Sequence, residues 1–170
     1  TAGIRGRDER LGRLVGALPS AISLFAVVMA LLAFAAGIQG RSLIYLAVTT
    51  VLLFCATAGA GQILHARWLY PVPPPGANPI STKSTGSFTA TMLVQFAQWL
   101  AALVASLPAS VVLLLGFFGI LPDWIGYIVA PVWSLVCLVV GVIVGGRMWD
   151  RHAVTLLQQI KAWPGHAKTA

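Results

Sequence analysis

Catalysis requires a nucleophile with its base, a carboxylate pair, or a set of gathered metal ligands, and few residues of this sequence qualify. The acids are Asp8, Glu9, Asp123 and Asp150, and all of them lie outside the long apolar runs. No acid is therefore available for proton relay within a membrane. No Gly-rich phosphate loop of the Walker type is present. His65 and His152 flank apolar runs without a convincing third ligand, so no metal site is expected. Cys55 and Cys137 sit deep inside such runs and read as small packing residues. Asp150, Arg151 and His152 read as a charge cluster on a helix surface. No catalytic residue and no cofactor is expected, which makes a membrane enzyme the least favoured class.

The apolar runs themselves dictate the architecture. The chain has 170 residues, 58% hydrophobic and 9% charged, against roughly 25% charged in an average soluble domain. Leu14 to Gly40, Ser42 to Leu64, Ser84 to Pro122 and Trp124 to Gly146 contain no charged residue. A helix of about 20 apolar residues crosses a bilayer core, so each of these runs can span. The expected fold is an all-α integral membrane protein: four transmembrane helices with amphipathic helices at both cytoplasmic ends. The expected division is an interfacial helix over 1–18, helices one and two within 19–64, a Pro-rich cytoplasmic loop over 65–87, helices three and four within 88–146, and a tail over 147–170.

A net charge of +7 raises the question of nucleic acid. The Lys and Arg residues, however, stand at the ends of apolar runs rather than in one patch with interleaved aromatics. That placement serves orientation and contact with anionic membrane lipids. Arg5, Arg7, Arg10 and Arg13 precede the first run, His65, Arg67 and Lys83 follow the second, and Arg147, Arg151, Lys161 and Lys168 follow the fourth. Both termini are therefore expected in the cytoplasm, with Arg41 the one exception to the pattern. Trp124 and Tyr127 at one boundary, and Trp68, Tyr70, Trp149 and Trp163 at the other, match aromatic belts.

Within this frame, polar groups in the spans need partners. Thr91, Gln95 and Gln98 recur at helical spacing with Trp99 alongside, and Thr49 and Thr50 fall near the centre of the second run. Their favoured role is hydrogen bonding between helices; they are also the candidates for a substrate path. Small residues mark packing faces: Ala56, Ala60 and the run AGAG at 58–61 on the second run, and Gly141 with Gly145 on the fourth. The stretch from Phe88 to Phe118, about 46 Å long as one straight helix, is expected to be a single helix kinked or broken near Pro108; a re-entrant hairpin would conflict with the charge pattern.

At the ends, IRGRDERLGRLVGAL (4–18) sets Ile4, Leu11, Leu14, Val15 and Leu18 on one helical face, with Pro19 at the junction to the span. RMWDRHAVTLLQQIKAW sets Trp149, Ala153, Leu156, Leu157, Ile160 and Trp163 on another. Between them in sequence, Pro71, Pro73, Pro74 and Pro75 favour extended backbone that can brace a neighbour, while STKSTGS reads as solvated connector.

The order of these features, with WLYPVPPPGANPIS followed by Gly86, a long span containing SLPA, and a last span leaving as GGRMWDRHAVTLLQQI, resembles the C-terminal half of bacterial ABC-2 type transporter permeases, particularly those of high-GC actinobacteria. The resemblance covers nearly the whole chain through short motifs: Tyr70-Pro71, Asn78-Pro79 and Gly145-Gly146-Arg147. It implies a transmembrane subunit in a bacterial plasma membrane that pairs with a second permease domain and is driven outward by a separate cytoplasmic ATPase. It also implies that the N-terminal helix or the proline loop meets that ATPase, which makes Arg10, Arg13, Arg67, Tyr70, Pro71, Pro73 and Asn78 the candidate partner contacts. Such permeases usually carry six spans, or about twice that when two units are fused; with four here and Thr1 first, the chain is expected to be processed or a portion of something longer. The competing expectation is a non-transporting four-helix scaffold or accessory subunit of a larger membrane complex.

Overall fold

The computed structural model describes the backbone of residues 5–67 and 88–161, and side chains over 5–67 and 92–151. Four helices follow in order: α1 (Gly6–Phe34), α2 (Arg41–Arg67), α3 (Phe88–Phe117) and α4 (Asp123–Lys161). All four are long and apolar enough to cross a membrane. They alternate in direction, which brings the start of α1, the end of α2, the start of α3 and the later turns of α4 to one end of the bundle, the basic end. Tyr70, Pro71, Pro73 and Asn78 lie outside the described residues.

The short connections are set by glycines that accept backbone angles other residues resist. Gly119 has φ 76°. Around it the Ile120 N–H bonds to the Leu115 carbonyl at 2.9 Å and the Gly119 N–H to the Gly116 carbonyl at 2.9 Å. This pairing stops α3 and uses carbonyls that a helix end leaves without partners. Gly37 and Gly40, with φ 66° and 60°, turn the chain between α1 and α2.

α1 and α3 each carry an interior proline without ending at it. α3 runs through Pro108 as one helix and does not re-enter. Proline removes the N–H that would have met the Val104 carbonyl and pushes against the preceding turn; the next carbonyl, of Ala105, accepts the Trp133 indole Nε1–H from α4 at 2.7 Å. α1 likewise continues through Pro19. Residues 6–18 are therefore the first turns of the same helix that carries the first apolar run, and the expected junction at Pro19 is not a break. α4 continues past Gly146 to Lys161 in the same way.

Packing is tightest between α2 and α4, α3 lies against both, and α1 touches α4 and α2 but, among the described residues, not α3. The two small-residue faces meet: a Cβ on Gly141 would stand 2.5 Å from Gly59 Cα, and one on Gly59 would overlap the Cys137 carbonyl. Without side chains there, the backbones come close enough for dispersion to act over the whole contact, the main attraction available between helices in lipid. Nearer the opposite end, Tyr45, Leu52, Ala109, Leu113 and Ala130 form a buried cluster.

Candidate functional site

Three polar or concave features stand out, one at each end of the bundle and one along its side. At the end away from the basic residues, Arg41 opens α2 and Asp123 opens α4, each just outside a charge-free run. Arg41 Nη2 donates to Asp123 Oδ1 at 2.8 Å and to the Gly116 carbonyl at 2.7 Å. The Tyr45 hydroxyl donates to the same carboxylate oxygen at 3.0 Å. One guanidinium thus ties the start of α2 to the end of α3 and the start of α4. The hydrogen bond from Arg41, joined by that from Tyr45, holds the Asp123 carboxyl below its ordinary value, and the same bond raises Arg41. Asp123 also suits the positive end of the α4 dipole. Arg41, the exception in the charge pattern, is thereby neutralised by the only acid at its end among the described residues.

At the basic end, α1 docks by its first turns. The Gly6 N–H, one of the donors a helix start leaves open, bonds to Asp150 Oδ1 at 2.8 Å. A Cβ on Gly146 would stand 2.9 Å from Arg7 Cα, so the two backbones touch. Arg10 is 1% exposed. Its guanidinium carbon lies 4.9 Å from the centre of the Trp149 ring, its Nη2 donates to the His65 carbonyl at 3.4 Å, and it pairs with Glu9 at 3.3 Å. Burial pulls Arg10 below its ordinary value, with Glu9 opposing. Glu9 also holds Arg13 in an i,i+4 ion pair. Burial lowers His65, with the Gln98 side chain acting in the other direction.

Beyond these turns α1 stands away from α2 and α4. A groove of about 620 Å³ opens between them. Arg7, Arg13 and His65 lie at its basic mouth, and Leu14, Leu18, Leu138 and Val142 line its depth. Gln62 and Gln98 also line it, and both carry a buried Oε1 without a hydrogen-bond partner. Gln98 reaches this space from α3 because Gly61 on α2 has no side chain: a Cβ there would stand 2.8 Å from Gln98 Nε2. That Nε2 donates to the Thr57 carbonyl at 3.3 Å.

The residues singled out in the sequence are thus dispersed. Gln98 is 9% exposed and joins α3 to α2, whereas Trp99 is 57% exposed and Gln95 is exposed as well. Thr50 donates to the Leu46 carbonyl within its own helix at 2.8 Å. Thr49 lines a separate groove of about 440 Å³ with Tyr45, Ser110 and Phe117. The side chain of Thr91 lies outside the described residues. Of the candidate partner contacts, Arg10 is turned inward, while Arg13 and Arg67 are exposed. Sequence reasoning did not pair Arg41 with Asp123, nor place Arg10 and Gln62 inside; the one available signal for the pair was opposite charge at two otherwise bare connections.

These features define an all-α membrane protein of four spanning helices, three of them closely packed and the first held at one end. Comparison with family models, curated proteins and solved structures returns no match.

Proposed function

We propose that this chain is the transmembrane part of an ATP-driven exporter of the ABC-2 permease type, set in a bacterial plasma membrane with both ends in the cytoplasm. The observation that carries this reading is the condition of α1. None of the residues in its most apolar window is buried within the chain. A span that packs on so little of its own chain is suited to complete its contacts with a second transmembrane domain. At the basic end, Arg5, Arg13, Arg67, Arg147 and Arg151 are exposed, a surface fitted to a soluble ATPase with an acidic face. ATP hydrolysis would reside in that partner.

A second reading, a non-transporting scaffold, is favoured by Gln98, which is spent on the Thr57 carbonyl rather than on a wet path, and by the Arg41–Asp123–Tyr45 cluster that fastens one end. Purification of the native chain in mild detergent, followed by mass spectrometry of what accompanies it, separates the two. The exporter reading expects an ATPase with a Walker motif whose hydrolysis falls when Arg13 and Arg67 are both changed to Glu. Membrane subunits without an ATPase would overturn it in favour of the scaffold.

A further inference from the structure

We propose that the groove between α1 and the α2–α4 pair is a binding site for one anionic phosphoglyceride, held by its phosphate at Arg7 and Arg13 and by an acyl chain laid along the groove. The inference does not depend on the exporter reading.

Two observations converge on it. The first is the distribution of polarity: the groove has guanidinium groups at one end and aliphatic side chains from Leu14 and Leu18 on one wall and Leu138 and Val142 on the other. That division matches a molecule with a charged head and a hydrocarbon tail. The second is charge. Arg13 shares Glu9 with Arg10, while among the described residues Arg7 has no carboxylate within ion-pair range. The mouth therefore carries excess positive charge, which attracts an anionic head group. A phosphate supplies only acceptors and so satisfies the arginines.

The competing occupant is a transmembrane helix from a partner. A helix would fill the apolar depth, but its backbone carbonyls are already used within itself, so Arg7 and Arg13 would gain no anion from its main chain. The charge of the mouth favours the lipid.

The test is native mass spectrometry of the purified full chain in nanodiscs and after mild delipidation, with dioleoyl phosphatidylglycerol and dioleoyl phosphatidylcholine offered at equal concentration and soluble glycerol phosphate as a third probe. Each guanidinium near a phosphate contributes about fivefold in affinity. The wild type is expected to retain one phosphatidylglycerol with at least that preference over phosphatidylcholine and to retain no glycerol phosphate. Arg7→Gln with Arg13→Gln should abolish the preference, because both side chains are exposed and the bundle does not rest on them. Arg147→Gln with Arg151→Gln removes the same charge from residues that do not line the groove and should leave the preference intact. Filling the depth by Leu18→Trp with Val142→Trp should lower retention of either lipid. Equal loss from both arginine pairs would mean diffuse attraction to the basic end and would overturn the site. Equal retention of the two lipids by the wild type, or retention of glycerol phosphate alone, would overturn it as well, the latter pointing to a free phosphate site.

Discussion

At the scale of single residues, the two charges Arg41 and Asp123 show how a membrane protein keeps ions at a boundary it would otherwise avoid. Neither is deeply buried, so the pair acts less through Coulomb energy than through geometry, one guanidinium serving a carboxylate and a helix-end carbonyl together. Because Asp123 is held below its ordinary value in the folded chain, its contribution to stability is present above the unfolded value and is lost as pH falls through the folded one. Thermal unfolding in detergent should therefore show Asp123→Asn melting below the wild type at neutral pH, with the gap closing as pH falls below the ordinary carboxylate range. A gap that stays constant over that range would mean the carboxylate charge is irrelevant. The sequence displayed both charges as isolated marks in bare connections. It did not display their pairing, because they are 82 positions apart and meet only through the alternation of three helices. Arg10 was illegible for the opposite reason. Its neighbours made it look like one more outward charge on a surface helix, and only the Trp149 ring and the His65 carbonyl give it a place inside.

At the scale of elements, the glycine faces were readable and their consequence is measurable. Gly141 meets Gly59 backbone to backbone, and neither can yield as a flexible side chain would. Gly141→Ala should cost about 1–3 kcal/mol in unfolding experiments, whereas Gly12→Ala, with nothing within 4 Å of the added Cβ, should be neutral or slightly stabilising through helix propensity. Similar melting of the two variants would show that α2 and α4 do not approach as described. The proline in α3 was readable as a point of weakness; the indole donor beside it was not, since it comes from Trp133 on another helix. Trp133→Phe keeps an aromatic ring and removes the donor, and should cost about 1 kcal/mol. If the proline is what makes the Ala105 carbonyl available, that cost shrinks in a Pro108→Ala background, and a double-mutant cycle reads the difference. The junction expected at Pro19 rested on local preference alone, and α1 runs through it as one helix. A proline in a long apolar helix is tolerated, and there the Ser23 hydroxyl also bonds to the Pro19 carbonyl at 2.8 Å.

For the whole molecule, four spans followed directly from charge-free length, because lipid leaves the backbone little choice but helix. Their unequal partnership did not follow, since hydropathy reports what leaves water and is silent on whether a helix then meets protein or lipid. α1 is secured by Gly6, by the backbone at Arg7 and by the Arg10 side chain, and is free of the bundle above them. Spin labels at Val27 and Leu31, both exposed, should report high oxygen accessibility in the purified chain and reduced accessibility in the native assembly, while a label at the buried Leu52 should report low accessibility in both. Equal, low accessibility at all three positions of the isolated chain would show that α1 packs along its whole length. The Arg41–Asp123 bond also implies an order of events in synthesis. At ordinary rates of elongation, the 82 residues between the partners correspond to roughly 4–16 s of translation. For that interval the first hairpin stands with Arg41 lacking its counter-ion, and its placement is provisional until the second hairpin arrives. A ribosome stalled shortly before residue 123 should therefore leave the α1–α2 hairpin open to inversion, and release past that residue should fix it: the later half of the chain ratifies the topology of the earlier half.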